Sequence, residues 1–420
     1  MRIIADLHIH SGYSRATSKE MTLESVAHWA ALKGINLVGT GDFTHPAHFS
    51  SIEEKLAPAG NGLFTLRNSK EAAPVHFMLT AEVSNIWSQG GRLRKVHSLL
   101  LSPGLEAARK VNSALSRLGN VHSDGRPIFG FSLTDLLKIV LDSDPDSMLV
   151  PAHAWTPWFS IFGSRSGFDS IEECFGDYSR HIHAIETGLS SNPRMNWRVS
   201  SLDGVALISN SDAHSPSKLG REANVFDCRM DYGDVTGAIK EKNRDKFLFT
   251  VEFYPEEGKY HSDGHRDCGV RMSPDETIRA GKVCPVCSSP LTVGVLSRVE
   301  ELADRPDGFV PASAIPARQL VPLEEILSQA LGCGVKSGRV QKEYRRLVEE
   351  AGSEFSILLD MPGNELAAIA GERTAQAVLK VRSGDISIAP GYDGEFGKIS
   401  IFQGCGALGH APQPDQIALF

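Results

Sequence analysis

Five segments that read as β-strands each end in, or lead directly into, an aspartate, a glutamate or a histidine. The first is Ile3–His8, where Asp6, His8 and His10 are spaced two apart. On a strand, residues at i, i+2 and i+4 share one face, so these three point one way while Ile3, Ala5, Leu7 and Ile9 point toward packing helices. The pattern recurs. Ile35–Gly41 runs into Asp42 and His45, Val75–Glu82 ends in Glu82, Met148–Ala152 precedes His153, and Val205–Ser209 leads into Asp212-Ala213-His214. A single aspartate at a strand end is commonly a helix cap. The same choice at five strand ends points to metal, and mixed imidazole and carboxylate donors suit Zn, Mn, Fe or Ni better than Ca or Mg.

The ligand set expected on this basis is His8, His10, Asp42, Glu82, His153, Asp212 and His214. His97 joins it by a different route. It lies at the start of its own strand, and the turn Ser88-Gln89-Gly90-Gly91 predicts a hairpin that returns it beside Glu82. Asp6 reads as a ligand or as a partner that orients a histidine, and Glu186 reads equally as ligand, orienting partner or structural residue. Metal ions so held activate water and clamp the attacking and leaving oxygens of a displacement at phosphorus, with Asp212, Glu82 and His10 at the catalytic centre. No serine or cysteine nucleophile is required, and Cys174 and Cys228 read as buried and inert.

Strand-like and helix-like runs alternate up to about Tyr254, with helices over Leu23–Leu32, Leu105–Leu118 and Leu133–Leu141. This alternation predicts a mainly parallel α/β sheet or TIM-like barrel with its ligands at the C-terminal mouth. Residues 1–254 form this unit. Residues 255–305 are rich in Gly, Pro, His and Cys and read as a zinc-binding module. Residues 306–322 read as a linker, and residues 323–420 as a helical C-terminal domain that binds DNA, ending in a Gly-rich extended stretch. In the module, His265 and Cys268 mirror Cys284 and Cys287, each pair enclosing two residues, which predicts one closed structural zinc. His261 competes with His265, which is preferred because its spacing copies the second pair.

The seven cysteines, Cys333 and Cys405 among them, are odd in number and unevenly spaced, which argues against a disulfide framework. No apolar run has membrane-spanning length, and no signal-peptide pattern precedes the first strand, so a cytoplasmic protein with no membrane partner is expected. The net charge of −8 argues mildly against nucleic acid, although bound cations would invert the sign of an acidic site. Two basic patches are candidates for a phosphate backbone: Arg92, Arg94 and Lys95 on the hairpin, and Lys336, Arg339, Lys342, Arg345 and Arg346 near a helix start. Trp87, Trp155 and Trp158 read as base-stacking or packing residues.

The run Asp6-Leu7-His8-Ile9-His10-Ser11, with Asp42, Glu82, His153 and Asp212-Ala213-His214, resembles the polymerase and histidinol phosphatase (PHP) superfamily. That resemblance implies a distorted (β/α)7 barrel holding about three divalent ions, Zn, Mn, Fe or Mg. Many members place a histidine directly after the second-motif aspartate. Here Phe43 stands there, which leaves His45, or less favourably His48, as the equivalent ligand. Further motifs are Ser123-Asp124-Gly125-Arg126-Pro127, the zinc module, Val299-Glu300-Glu301-Leu302-Ala303-Asp304-Arg305 and Pro390-Gly391-Tyr392-Asp393-Gly394-Glu395-Phe396. With these the chain resembles the endonuclease Q family nearly throughout. The implied activity is cleavage of double- or single-stranded DNA on the 5′ side of deaminated bases (uracil, hypoxanthine, xanthine) and abasic sites. The alternative is a small-molecule phosphomonoesterase of the histidinol-phosphatase type, which leaves the zinc module and helical domain without a purpose. No docking motif for a replication or repair partner stands out.

Overall fold

The computed structural model describes residues 1–69 and 74–402, so Cys405 and the end of the C-terminal domain lie outside the described residues. The chain opens on β1 (Arg2–Asp6) and α1 (Leu23–Lys33), whose first turn is capped by the Thr22 hydroxyl accepting from Ser25 N–H. There follow β2 (Leu37–Gly39), α2 (Pro46–Lys55), the hairpin β3 (Leu56–Gly60) and β4 (Leu63–Leu66), and the long pair β5 (His76–Gln89) and β6 (Arg92–Ser102). Next come α3 (Leu105–Leu118), β7 (Ile128–Phe129), α4 (Leu133–Ser143), β8 (Met148–Pro151), α5 (Ile171–Phe175) and β9 (Ala184–Glu186). The first unit ends with α6 (Pro193–Asn196), β10 (Ala206–Ile208), β11 (Ala223–Asp227), α7 (Tyr232–Lys240) and β12 (Phe247–Glu252).

The central sheet is mixed where alternation predicted a mainly parallel one. β1, β2 and β5 are parallel neighbours, but β5–β6, β6–β8, β1–β11 and β11–β12 pair antiparallel. One cause is legible: β5 and β6 are joined by Gly90 and Gly91 alone, at φ 60° and 73°, and a two-residue turn connects only antiparallel strands. The other is β11, Ala-Asn-Val-Phe-Asp, a short segment with Asn224 and Asp227 that inserts between β1 and β12.

β9 and β10 form a separate parallel pair. Side-chain amides link them to the main sheet. Asn210 Oδ1 accepts from Leu7 N–H at 2.8 Å and from Asn224 Nδ2 at 3.0 Å, and Ser209 N–H donates to Asn224 Oδ1 at 2.9 Å. Ile3, Ala5 and Leu7 share one buried apolar cluster with Leu37, Leu99, Val150, Ala184 and Ala206, so both sheets enclose a common interior. The sequence pattern points Ile3, Ala5 and Leu7 toward helices; their cluster is mostly strand residues, with Tyr232, Val235, Ala238 and Ile239 of α7 its helical part. Ile4 instead joins the cluster that includes α1 residues Leu23, Val26 and Ala27.

The remaining elements are β13 (Asp263–His265), β14 (Val270–Met272), α8 (Pro274–Arg279), α9 (Val295–Leu302) and β15 (Ala317–Gln319). They are followed by α10 (Leu323–Leu331), α11 (Gly338–Ala351), α12 (Gly363–Ala370), α13 (Glu372–Ser383), β16 (Ser387–Ala389) and β17 (Lys398–Ser400). β15 pairs parallel with β12, so the stretch read as a linker adds a strand to the main sheet. The Gly-rich end returns to the cysteine-rich module, where Asp393 accepts from Arg266 N–H at 2.6 Å and from the Thr292 hydroxyl at 2.5 Å.

The helical unit docks on α1 through a buried Lys33–Glu354 pair at 2.6 Å, and Tyr344 donates to the same carboxylate at 2.7 Å. Removing one partner of such a pair strands the other charge, at a cost of about 3–5 kcal/mol. Among the described residues no helix is long and apolar enough to cross a membrane.

Candidate metal centre

β1 ends at Asp6, and the chain beyond it carries His8 and His10, both fully buried. Ile9 bridges to Ala213 and His10 N–H donates to Ala213 O at 3.0 Å, which sets the first histidine loop beside the Asp212 loop. Asp6 is not gathered with the ligands. It accepts from Ser211 N–H (3.0 Å), the Ser211 hydroxyl (2.6 Å) and Gly220 N–H (2.9 Å), and so holds the loop that presents Asp212.

Three site residues, Asp42, His153 and Asp212, have positive φ (44°, 30° and 47°). This is costly backbone for residues other than glycine, and it is found where side chains must be aimed.

Two ligand groups result. His8, His10, Glu82 and Asp212 form one, and Glu82, His97 and His153 form the other, each with its ligand atoms within 4.8 Å of one another. Glu82 belongs to both. Its Oε2 lies 3.2 Å from His10 Nε2, while its Oε1 lies 2.9 Å from His97 Nδ1 and 3.1 Å from His153 Nε2. Glu82 sits mid-strand, because β5 continues past it to Gln89, and the hairpin register sets His97 opposite Ser84.

His8 Nε2, His10 Nε2 and Asp212 Oδ1 are buried and make no hydrogen bond. Stranding buried polar atoms is costly unless something binds them. The rest of each ring is already committed: His8 Nδ1 lies 3.0 Å from both oxygens of Glu186, and His10 Nδ1 lies 3.0 Å from Asp42 Oδ1. A carboxylate on Nδ1 keeps the proton there and aims the Nε2 lone pair inward, as ligated histidines require. The residues present therefore fit divalent cations.

The electrostatics agree. Burial works against charge on His8, but Glu186, Asp212 and Glu82 outweigh it and raise its pKa well above the ordinary value. His10 is raised likewise, with Asp42 the leading carboxylate. The surrounding carboxylates thus favour a positive charge at this point, which a bound cation would supply in place of the ring proton. Burial lowers His97 to about 3, which leaves it neutral and able to act as a ligand.

Other expected residues lie around this core. Asp42 orients His10 and accepts from Ser11 N–H at 2.7 Å, the Ser11 hydroxyl at 2.6 Å and the Ser14 hydroxyl at 2.9 Å. His45 is not brought to the ligands. It stands at the N-cap position of α2 without a side-chain capping bond, stacks on Tyr13 at 4.5 Å, and its Nε2 lies 3.1 Å from His122 O. His48 Nε2 lies 3.1 Å from Thr40 O. His214 flanks His10, with ring centroids 4.5 Å apart.

Arg126 was not among the expected site residues, yet its Nη1 lies 2.9 Å from Glu82 Oε2. A cationic residue in a tight Asp-Gly-Arg-Pro turn was the available signal.

A third group, His265, Cys268, Cys284 and Cys287, also brings its ligand atoms within 4.8 Å of one another. His261 is not part of it and lies buried.

Of the basic candidates, Arg94 is structural. It is buried against the Phe168 ring at 4.0 Å, pairs with Glu173 at 2.8 Å and donates to Gly167 O. Arg92, Lys336 and Arg339 are exposed, and Lys95 lies over the Phe159 ring. Trp87 and Trp155 belong to the core, whereas Trp158 is half-buried beside Tyr260.

The same architecture recurs in known structures. The lesion-specific endonuclease PfuEndoQ from Pyrococcus furiosus superposes with a TM-score of 0.85 at 32% identity, covering 96% of each chain. An endonuclease Q bound to a 27-mer duplex with an abasic lesion at its active site superposes with a TM-score of 0.83 at 32% identity, covering 96% of this chain and 97% of that one.

Among sequences, YqxK of Bacillus subtilis is 29% identical over 414 residues, 95% of this chain and 99% of that one. MJ0043 of Methanocaldococcus jannaschii is 33% identical over 260 residues, which are 59% of this chain and 31% of that protein's length. The family described as the MJ0043 C-terminal domain matches residues 322–385.

Fold and site together define a metal-dependent hydrolase. At 32% identity over 96% of both chains, the chain belongs to the endonuclease Q family.

Proposed function

We propose that the chain is a DNA-repair endonuclease that hydrolyses the phosphodiester 5′ of deaminated bases (uracil, hypoxanthine, xanthine) and of abasic sites, leaving a 3′-hydroxyl and a 5′-phosphate. The observation that carries it is the whole-chain likeness to an endonuclease Q holding an abasic duplex at its active site. That likeness extends through the module and helical region, which a small-molecule phosphatase would not need. The barrel reading of the first unit, with seven repeats, belongs to the same proposal, as do the division at residues 254, 305 and 322 and a cytoplasmic setting.

His8, His10, Glu82 and Asp212 hold one cation, and Glu82, His97 and His153 a second. When bound, the ions supply Lewis-acid stabilisation of the phosphoryl oxygens and activation of the attacking water. Asp42 and Glu186 fix the imidazoles. Glu82 belongs to both ligand groups and would contribute to each. His265, Cys268, Cys284 and Cys287 hold a structural zinc that closes the module. Arg92, Lys95, Lys336 and Arg339 contact the DNA backbone, which positions the duplex without reading sequence. Flipping the damaged nucleotide out costs least where it pairs poorly, which favours lesions.

The test uses matched labelled duplexes, undamaged or carrying one deoxyuridine, deoxyinosine or abasic site, with Mg²⁺ or Mn²⁺. A single cut 5′ of the lesion is expected. No cut on any duplex, with rapid phosphate release from a monoester, overturns the proposal in favour of the phosphatase.

A further inference from the structure

We infer that Arg126 is a catalytic residue that binds the scissile phosphate, a role that rests on the endonuclease reading above. Its guanidinium reaches the carboxylate that both ligand groups share, with Nη1 2.9 Å from Glu82 Oε2. The ligand side chains of His8, His10 and Glu82 are 0% exposed and those of Asp212 and His153 are 9% and 10% exposed, whereas that of Arg126 keeps 19% of its surface open. Arg126 is therefore a permanently charged side chain that reaches from the buried ligands toward solvent.

Its position is built, not incidental. Asp124 Oδ1 accepts from the backbone N–H of Arg126 and of Arg15, each at 3.2 Å. The Thr44 hydroxyl donates to Gly125 O at 3.1 Å, and Ser84 N–H donates to Pro127 O at 3.0 Å. A side chain at Gly125 would collide with Asp42 Oδ2 and Ser14 Oγ, so the turn lies directly on the site. A charge held in place before the reaction needs no reorganisation when phosphoryl charge develops.

A simple counterion for Glu82 would need only one positive charge, which lysine supplies. Arginine offers a planar fork of five donors matched to two phosphoryl oxygens. In the hydrolysis, a water oxygen bonds to phosphorus and the P–O3′ bond breaks. The proton lost by water is balanced by one gained at O3′. Arg126 donates hydrogen bonds to non-bridging oxygens throughout and transfers no proton.

The test compares wild type, Arg126→Lys and Arg126→Gln on an abasic duplex and on bis(p-nitrophenyl) phosphate, with metal content measured on each protein. Expected is a loss in kcat of about 10²–10³-fold for Arg126→Gln on both substrates at undiminished metal content. Arg126→Lys should recover only a small part, and added guanidinium should restore part of the Arg126→Gln rate. Wild-type rates in Arg126→Lys, or a loss in Arg126→Gln that tracks lost metal, would overturn the role. If Arg126→Gln does not fold, Arg126→Lys alone decides. Wild type that cleaves the small diester but no lesion duplex sinks the endonuclease reading while leaving the arginine comparison readable.

Discussion

Glu186→Gln is the sharpest probe of how the centre is organised. The carboxylate is fully buried and serves three donors: His8 Nδ1 at 3.0 Å from each oxygen, His153 N–H at 2.9 Å and Asn210 Nδ2 at 2.9 Å. An amide of the same shape offers one accepting oxygen and turns an NH₂ toward at least one of these donors. Leaving a buried donor unmatched costs about 1–3 kcal/mol of stability. The amide also no longer polarises His8, and loss of such a partner lowers metal affinity by about 10–100-fold. Metal-free protein should therefore melt at lower temperature, and a chelator-competition titration should show the weakened affinity. Cleavage should return toward the wild-type rate as free metal is raised, because no ligand is lost. Affinity within twofold of wild type, or a rate that stays low at saturating metal, would refute this role for Glu186.

Further outcomes follow from other contacts. Asp212→Ala should abolish cleavage while DNA binding, measured by fluorescence anisotropy, is largely kept; loss of both would mean the residue serves folding. If the proposed zinc is present, Cys284→Ser should remove one zinc per chain by elemental analysis and destabilise the module while leaving the His8/His10/Glu82/Asp212 and Glu82/His97/His153 groups loaded. Lys336→Ala with Arg339→Ala should weaken binding to all duplexes alike and reduce the salt slope by about two, roughly 0.9 per phosphate contact; an unchanged slope removes them from the interface.

Glu252 supplies a pH test. Burial pushes it up to about 8, above the 4.5 of an exposed glutamate. The stability of its protonated form is fully present below pH 4.5 and is lost as pH rises toward 8, because the unfolded chain releases the proton first. The melting temperature of Glu252→Gln relative to wild type should therefore climb from pH 5 to pH 8.5, and a flat difference would count against it.

Much of the centre was legible because residues able to hold metal cluster in short motifs. His8-x-His10, Asp212 and His153 each follow a strand end, whereas His214 flanks His10 without joining either ligand group. The Gly90-Gly91 turn announced the hairpin that carries His97 to Glu82. What escaped depends on contacts far apart in the chain. The distinction between Asp42 as ligand and Asp42 as the partner of His10 lies in a few ångströms of loop geometry. Arg126 meets Glu82 across 44 residues through a turn with no periodic pattern. β15 was hidden in a Pro- and Ala-rich stretch because its partner, β12, lies more than sixty residues earlier and its own three residues include Arg and Gln. β11 escaped for a similar reason, its strand character resting on pairing with β1 and β12 rather than on its own residues.

The most direct measurement on the central claim is anomalous diffraction from crystals grown with Mn²⁺ or Zn²⁺. The account predicts one peak among His8, His10, Glu82 and Asp212 and another among Glu82, His97 and His153, with Glu82 touching both. Glu82 engaged only by Arg126, with no peak in either group at saturating metal, would contradict it.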